Sequence, residues 1–189
     1  MTEALLLPAT RRVASPADMH ALGRELASVL RAGDLVVLSG PLGAGKTTLT
    51  RGIGEGLDVR GPVTSPTFVL ARTHPSLSGG APLVHVDAYR LSSALELDDL
   101  DIDFARSVVV VEWGSGMLDG VAESWLEVAI ERPTGADERV VAGEGVAGDL
   151  EETEAETDVD EIDEPRTVTL TGFGPRWAAA AGSQTGDPA

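Results

Sequence analysis

The stretch "LVVLSGPLGAGKTTLTRGI", which begins at Leu35, constrains the fold of this chain more than any other feature. Gly40, Gly45, Lys46 and Thr47 fill the spacing G-x-x-x-x-G-K-[ST] of a phosphate-binding loop. The apolar run before the loop is typical of a strand buried on both faces, and the residues after it have helical spacing. A strand, a glycine-rich loop and a helix in this order predict an α/β fold that binds phosphate at the start of the helix.

One helix is predicted before this stretch and another directly after the loop. Ser15 is a typical helix N-cap, Pro16 suits the first turn, and apolar residues then recur at helical spacing until Gly33. The apolar positions of this first helix are Met19, Leu22, Leu26, Val29 and Leu30. The second helix should extend from Lys46 to about Glu55, with its apolar residues facing the sheet.

Strand-like runs make up much of the remaining chain. In chain order they are "PTFVLART", "PLVHVDAY", "SVVVVEW", "WLEVAIE" and "RTVTLTG", and a short helix is predicted around Ala94 to Leu100. Strands outnumber helices after the phosphate-binding loop, which favours a mixed, partly antiparallel sheet. The predicted fold class is therefore α/β, a P-loop NTPase-like three-layer sandwich.

The negative charge of the chain is concentrated in one segment. The formal net charge is −17, and eleven acidic residues but no basic one lie between Val140 and Glu164, so the remaining chain carries only −6. Residues 133–165 are glycine-rich and then acidic, which predicts a disordered insertion; an acidic docking site is the alternative. The folded domain should comprise residues 1–132 and 166–177, followed by a flexible tail at residues 178–189.

Composition also restricts the class of protein. The 189 residues contain no cysteine, which excludes a disulfide framework and a thiolate metal site. No segment approaches the roughly 20 apolar residues of a membrane span, and the early run "ALLLPA" is too short for the core of a signal peptide. We therefore expect a cytoplasmic protein that has no membrane partner.

The phosphate-binding loop contains the only lysine of the chain, because the other thirteen basic residues are arginines. Lys46 is expected to contact the β- and γ-phosphates as a point charge, and the Thr47 hydroxyl is expected to bind Mg²⁺. The alternative is a glycine-rich turn that caps an ordinary helix.

Two carboxylates end predicted strands. Asp87 follows "LVHV" and Glu112 follows "VVVV", and a carboxylate at the end of a buried strand is costly unless a cation or hydrogen bonds meet it. Both are candidates to hold Mg²⁺ and to orient an attacking water. The alternative for each is a structural acid paired with Arg90 or with a backbone amide.

Three smaller motifs are less specific. "TSPTF", from Thr64 to Phe68, is typical of a proline-bearing entry to a strand or of a loop that senses a γ-phosphate. Trp113 is either a core residue or the cover of a base or partner. "LSGG", from Leu77 to Gly80, resembles the signature of ABC transporters, but Ala81-Pro82 follows it, so we interpret it as a flexible loop.

Four motifs in this order, "GPLGAGKTTLTRG", "VTSPTF", "HVDAYRL" and "VVVVEW", resemble the TsaE (YjeE) family of bacterial P-loop ATPases, which are required for making threonylcarbamoyladenosine in tRNA. The resemblance implies that Thr47 and Glu112 are Mg²⁺ ligands, that Asp87 belongs to the hydrolytic site, and that Ser65 to Phe68 form a switch-like segment. It also implies that the ATPase acts on the TsaD and TsaB proteins and meets tRNA only indirectly.

The expected site residues fall into three groups. The catalytic residues are Lys46, Asp87 and Glu112, and the metal ligands are Thr47 and Glu112. The residues expected to contact ATP are Gly40, Leu42, Gly43, Ala44, Gly45, Lys46, Thr47, Thr48 and Thr67.

Two features depart from the family pattern, and other functions stay open. Pro41 stands where the loop of the family usually has an acid, and the acidic insertion is not among the family features that we recognise. A small-molecule kinase would share Lys46, Thr47 and Asp87, and a nucleotide-gated binding module would need no turnover. A GTPase is disfavoured, because the single lysine cannot also supply an N-K-x-D motif.

Overall fold

The computed structural model describes residues 7–91, 96, 100–114, 116, 122–132 and 164–178. The strands are β1 (Ala9–Val13), β2 (Leu35–Ser39), β3 (Ala71–His74), β4 (Leu83–Asp87), β5 (Val108–Glu112), β6 (Trp125–Glu131) and β7 (Arg166–Phe173). The helices are α1 (Pro16–Ala27), α2 (Lys46–Gly56) and α3 (Pro175–Ala178), and a 3₁₀ turn covers Ala88–Arg90. In the part of the chain described, no helix is long and apolar enough to cross a membrane.

The seven strands form one mixed sheet in the order β1-β7-β6-β2-β5-β4-β3. The four central strands, β6, β2, β5 and β4, run parallel to one another. Strands β7 and β3 pair antiparallel with the two ends of this group, and β1 pairs antiparallel with β7. The mixed, partly antiparallel α/β sheet expected from the sequence is therefore confirmed.

Both faces of β2, β4 and β5 are buried, which explains why most of their residues are apolar. In β6 only alternate residues are buried. On one face Val36 and Leu38 pack with Leu49 and Ile53 of α2, and α1 belongs to the same cluster. On the other face the alternate residues of β2, β4 and β5 pack against a separate cluster, whose partly buried members include Leu91, Leu100, Ile102 and Phe104. The sheet is thus the middle layer of three.

Helix α1 begins where the sequence predicts and ends earlier. The Ser15 hydroxyl accepts a hydrogen bond from the backbone N–H of Asp18 at 3.2 Å, and Pro16 is the first helical residue. The helix ends at Ala27 and does not reach Gly33, so the predicted extension through Leu30 is wrong. The Ser28 hydroxyl donates back to the Glu25 carbonyl at 2.7 Å, and serine commonly competes with the helix in this way.

The predicted strand "PTFVLART" is wrong in its first half, because β3 begins only at Ala71. The backbone N–H groups of Val69 and Leu70 both donate to the carbonyl of Pro66, which closes a turn. Leu70 has a φ of 64°, in the left-handed region, which also excludes regular strand. As a result Phe68 is 92% exposed instead of lying in the sheet.

Three elements were not predicted. The 3₁₀ turn Ala88–Arg90 replaces the end of the predicted strand "PLVHVDAY", because the Asp87 side chain accepts a hydrogen bond from the Tyr89 backbone N–H. The other two elements have weak sequence signals. Strand β1 reads "ATRRV", in which only Val13 is buried, so the apolar pattern of a strand is missing. Helix α3 has four residues, and it is fixed by Arg176, whose guanidinium donates to both carboxylate oxygens of Asp34 at 2.9 and 3.0 Å.

Most of the predicted insertion at 133–165, most of the tail at 178–189 and most of the predicted helix from Ala94 to Leu100 lie outside the described residues. The described end of the insertion is part of the fold. The Glu164 carboxylate accepts hydrogen bonds from Arg132 at 2.9 Å and from Arg166 at 2.9 Å, and so joins the end of β6 to the start of β7.

Helices α1 and α2 touch through glycines at their crossing point. A Cβ atom at Gly52 would lie 2.1 Å from the carbonyl oxygen of His20, and one at Gly23 would lie 2.3 Å from the carbonyl oxygen of Leu49. Both distances are far below van der Waals contact, so the two backbones meet directly. This contact packs α2, which follows the phosphate-binding loop, directly against α1.

We predict that Gly52→Ala lowers the free energy of unfolding by about 1–3 kcal/mol, because the new methyl group forces the two backbones apart. Gly80→Ala is the matched control, since its nearest neighbour, the Ser76 hydroxyl, lies 3.4 Å from the added Cβ. Urea denaturation of both variants measures the difference. Equal stability of Gly52→Ala and the control would contradict the packing described.

Candidate nucleotide-binding site

The register of three parallel strands brings the site together. Leu38 of β2 pairs with Glu112 of β5, and Glu112 pairs in turn with Asp87 of β4. The carboxyl ends of β2, β5 and β4 are therefore level with one another. In open parallel sheets ligands bind beyond these ends, and the loop that follows Ser39 starts there too.

The loop depends on glycine at its two ends. Gly40 has a φ of 146°, and a Cβ atom there would lie 2.5 Å from the Ile130 carbonyl oxygen. Gly45 has a φ of 105° and is the N-cap of α2, where it provides no side-chain hydrogen bond. The first N–H groups of α2 thus have no side-chain cap, and such groups together with the helix dipole form an anion-binding site.

Lys46 lies inside the loop that carries it. Its ammonium group donates to the carbonyl oxygens of Gly40 at 2.8 Å and Pro41 at 3.0 Å. Burial lowers the pKa of Lys46 below its usual value, while the carboxylates of Glu112 and Asp87 act in the opposite direction. The two carbonyl acceptors and the two nearby carboxylates therefore favour the charged form of this buried side chain.

Trp113 covers this lysine. The Lys46 Nζ atom lies 3.6 Å from the centroid of the indole ring, which is within the range of a cation–π interaction. Trp113 has a φ of 65°, a conformation that is strained for a bulky residue and that occurs mainly where the surroundings enforce it. The Tyr89 ring packs against the indole edge-on at 5.5 Å. Of the two sequence interpretations, plain core or cover, the geometry supports a cover, and what it covers is the lysine.

Glu112 lies between α2 and the interior of the sheet. Its Oε1 atom accepts a hydrogen bond from the Thr47 hydroxyl at 3.0 Å and lies 2.8 Å from Nε2 of His85. Both Glu112 and His85 are buried, so these contacts are made away from water. The structure thus places the two predicted metal ligands side by side.

Asp87 holds the predicted switch segment, Ser65 to Phe68. Its Oδ2 atom accepts a hydrogen bond from the Thr67 hydroxyl at 2.7 Å, and its Oδ1 atom accepts one from the Tyr89 backbone N–H at 3.0 Å. Arg90, which the sequence offered as a structural partner for Asp87, instead donates to the carbonyl oxygen of Thr67. The segment is therefore tied to the end of β4 on both sides.

Oxygen ligands of this kind fit Mg²⁺. Thr47 and Glu112 offer a hydroxyl and a carboxylate 3.0 Å apart, and both are hard donors. Within the described ranges no group of three or more histidine, cysteine or acidic side chains is arranged to hold a metal ion. Mg²⁺ commonly uses one or two protein ligands together with substrate phosphates and waters, so a sparse set of ligands suits it.

The predicted site residues lie in different parts of the site. Five side chains converge at the carboxyl ends of the strands: Lys46, Thr47, Glu112, Asp87 and Thr67. The loop residues Gly43, Ala44 and Thr48 lie in or next to the turn that starts α2. The side chain of Leu42, in contrast, is 85% exposed, so we expect that residue to contact a nucleotide only through its backbone.

His85 was missed from the sequence. Its signal is a single polar residue within the buried run "LVHVD", and His85 and Asp87 lie on one face of β4 because side chains alternate along a strand. That pattern indicates an interior histidine, but the partner of such a residue depends on which strand lies beside β4, and the sequence does not specify this.

A phosphate-binding loop between a central parallel strand and a helix, with carboxylates at the ends of the neighbouring strands, defines a protein of P-loop NTPase fold. A solved structure of YdiB from Bacillus subtilis is similar, with a TM-score of 0.64 and 26% identity over 94% of each chain. The family model "Threonylcarbamoyl adenosine biosynthesis protein TsaE" matches residues 13–141. The chain belongs to the TsaE family.

Curated relatives agree with this assignment. The chain is 55% identical to the tRNA threonylcarbamoyladenosine biosynthesis protein TsaE of Streptomyces coelicolor, over 86% of this chain and 95% of the relative. It is 35% identical to the protein of the same name from Bacillus subtilis, over 69% of this chain and 81% of the relative. The resemblance drawn from the four sequence motifs is thereby confirmed.

We predict that Lys46→Ala weakens ATP binding by at least tenfold, because the phosphates lose the only lysine of the loop. Arg106→Ala is the control, since it removes one exposed positive charge close to the start of β5, at the opposite edge of the sheet. Calorimetric titration with ATP measures both variants. An affinity of Lys46→Ala within a few-fold of the control would remove this loop from the site.

Proposed function

We propose that this protein binds and hydrolyses ATP with Mg²⁺, and that hydrolysis drives turnover of the complex that makes threonylcarbamoyladenosine in tRNA, next to the anticodon. The observation that carries the proposal is the alignment of Thr47, Glu112 and Asp87 beside the phosphate-binding loop. Membership of the TsaE family supports the pathway. Work on tRNA also agrees with a cytoplasmic location.

The loop and Lys46 bind the phosphates in this proposal. The N–H groups at the start of α2 donate to phosphate oxygens, and Lys46 exchanges its bonds to the Gly40 and Pro41 carbonyls for bonds to the β- and γ-phosphates. The ammonium group moves only a short distance in this exchange, because the carbonyls belong to the loop that surrounds the phosphates. The departure at Pro41 is compatible with this role, since the contact uses the backbone carbonyl.

Thr47 and Glu112 would hold the metal ion. Bound Mg²⁺ would neutralise charge on the phosphate oxygens. Thr47 is fixed by its place in the first turn of α2, and Glu112 is fixed by its place at the end of β5.

Asp87 is the candidate to orient the attacking water. The oxygen of water bonds to the γ-phosphorus, the bond to the β,γ-bridging oxygen breaks, and the products are ADP and phosphate. A carboxylate can accept a hydrogen bond from that water and align it. Thr67, hydrogen-bonded to Asp87, lies at the same edge, so a change in the switch segment would alter the position of the carboxylate.

We predict that Glu112→Gln binds ATP with nearly the affinity of the wild type but hydrolyses it about 10²-fold more slowly. The carboxylate charge is needed mainly in the transition state, whereas the loop supplies most of the ground-state binding. Phosphate release under saturating ATP, compared with binding by calorimetry, separates the two effects. Unchanged phosphate release would remove Glu112 from the catalytic site.

The partners in this proposal are the TsaD and TsaB proteins, and we expect contact with tRNA only through them. P-loop sites without an arginine finger hydrolyse slowly, and Arg90 is engaged by the Thr67 carbonyl. Large apolar side chains are exposed near the site, at Phe68, Val69 and Tyr89. Exposed apolar residues grouped beside a catalytic site are typical of a docking surface.

We predict that a TsaD-TsaB complex raises the ATPase rate at least several-fold, and that Phe68→Ser reduces this ratio of stimulated to basal rate. Leu77→Ser is the matched control, because Leu77 is also exposed but lies between β3 and β4, at the amino end of β4. Phosphate release and modified adenosine are measured in parallel. If the partners leave the rate unchanged, the protein is better described as a nucleotide-gated binding module.

A further inference from the structure

Burying the His85 side chain costs free energy, and the packing of the strand does not require a histidine at this position. It is fully buried in β4 among apolar residues, and within the described residues its Nδ1 atom has no hydrogen-bond partner. An unsatisfied buried polar atom costs about 1–3 kcal/mol, and valine would serve the strand without that cost. The other ring nitrogen, Nε2, lies within hydrogen-bond distance of Oε1 of Glu112.

The strand register places the ring on the interior side of Glu112. His85 pairs with Val110 in β5, and Glu112 is two residues further along on the same face. Thr47 reaches the carboxylate from α2. Both contacts use Oε1, so the ring and the hydroxyl hold one oxygen from two directions and neither of them uses Oε2.

The direction of the hydrogen bond follows from the chemistry of the pair. A metal-binding carboxylate only accepts hydrogen bonds, so the proposed role of Glu112 assigns the proton of this bond to Nε2 of His85. A ring fixed by packing on all sides can donate in only one direction. It therefore selects one orientation of the Glu112 side chain.

We propose that His85 is a positioning residue, which donates from Nε2 to Oε1 of Glu112 and thereby holds that carboxylate in the orientation that binds Mg²⁺ beside Thr47. The inference rests on the proposed function, because it assumes that Glu112 is a metal ligand. Partners of this kind typically change metal affinity or activity by about 10–100-fold when they are removed.

The first test uses the unaltered protein. The chain has three histidines, His20, His74 and His85, so ¹⁵N labelling of histidine gives three ring signals. We expect His85 to carry a proton on Nε2, and its Nε2 signal to shift when Mg²⁺ is added to the ADP-bound protein. His20, which is paired with Glu55 between α1 and α2, is the internal control. A His85 ring without a proton on Nε2, or without a response to Mg²⁺, would overturn the proposal.

The second test compares two variants that differ in reach. The amide nitrogen of His85→Gln can occupy the place of Nε2, whereas the shorter His85→Asn places its amide near Nδ1. The measured quantity is the factor by which Mg²⁺ raises the affinity for ADP, obtained by calorimetry with and without the metal ion. We expect His85→Asn to reduce this factor by about 10–100-fold and His85→Gln to keep it within a few-fold.

Controls separate a positioning role from a structural one. His74→Asn alters another buried histidine whose recorded contacts do not include Glu112, so it should keep the wild-type response to Mg²⁺. Affinity for ADP without Mg²⁺ should be unchanged in all three variants. A wild-type Mg²⁺ factor in His85→Asn, or an equal loss in the Gln and Asn variants, would contradict the positioning role. An absent Mg²⁺ factor in the wild type itself would overturn the metal assignment of Glu112 as well.

Discussion

Hydrogen bonding between parallel strands sets the position of every group in the site. Strands β2, β5 and β4 are paired so that Leu38, Glu112 and Asp87 are level. The positions of the loop, the proposed metal ligand and the proposed water-orienting carboxylate follow from that alignment. Side chains alternate along a strand, so a slip of one residue in β5 would turn Glu112 to the opposite face of the sheet. The four valines that precede Glu112 are buried on both faces and do not by themselves fix the register. The slip is opposed because it would bury the Glu112 carboxylate in the apolar layer of the other face, away from Thr47 and His85.

Burial of charge is the second constraint, and the site meets it with hydrogen bonds. Lys46, Asp87 and Glu112 are all buried, and an unpaired charge in such surroundings would be costly. The lysine donates hydrogen bonds to carbonyl oxygens. The two carboxylates form hydrogen bonds with hydroxyl groups, with the histidine ring and with a backbone N–H group. The partners of the two carboxylates fix the orientation of those charges, and the proposed catalysis would depend on such a fixed arrangement.

The sequence predicts a strand correctly where the local pattern of apolar residues matches the burial of those residues in the fold. The runs "VVVVE" and "WLEVAIE" agree with the strands because burial alone explains them. The first half of "PTFVLART" has the composition of a strand, but hydrogen bonds to the Pro66 carbonyl and to the Asp87 side chain hold it as a turn. The Asp87 side chain is distant in sequence, and the turn at Pro66 is specific to this fold. Local strand propensity therefore does not predict either hydrogen bond. Motifs predict a shared site for Lys46, Thr47, Asp87, Glu112 and Thr67, and the fold brings these residues together. The contact of His85 with Glu112 depends on strand order, which the motifs do not specify.

The position of Lys46 has a consequence for how long a nucleotide stays bound. In the proposed function, phosphate oxygens would compete for the ammonium group with two carbonyls of the loop and with the face of Trp113. When a phosphate departs, the lysine would return to these partners and would not be left as an unpaired buried cation. This alternative set of partners would favour short residence of ADP. Short residence would let the ratio of ATP to ADP in the surroundings set the state of the protein.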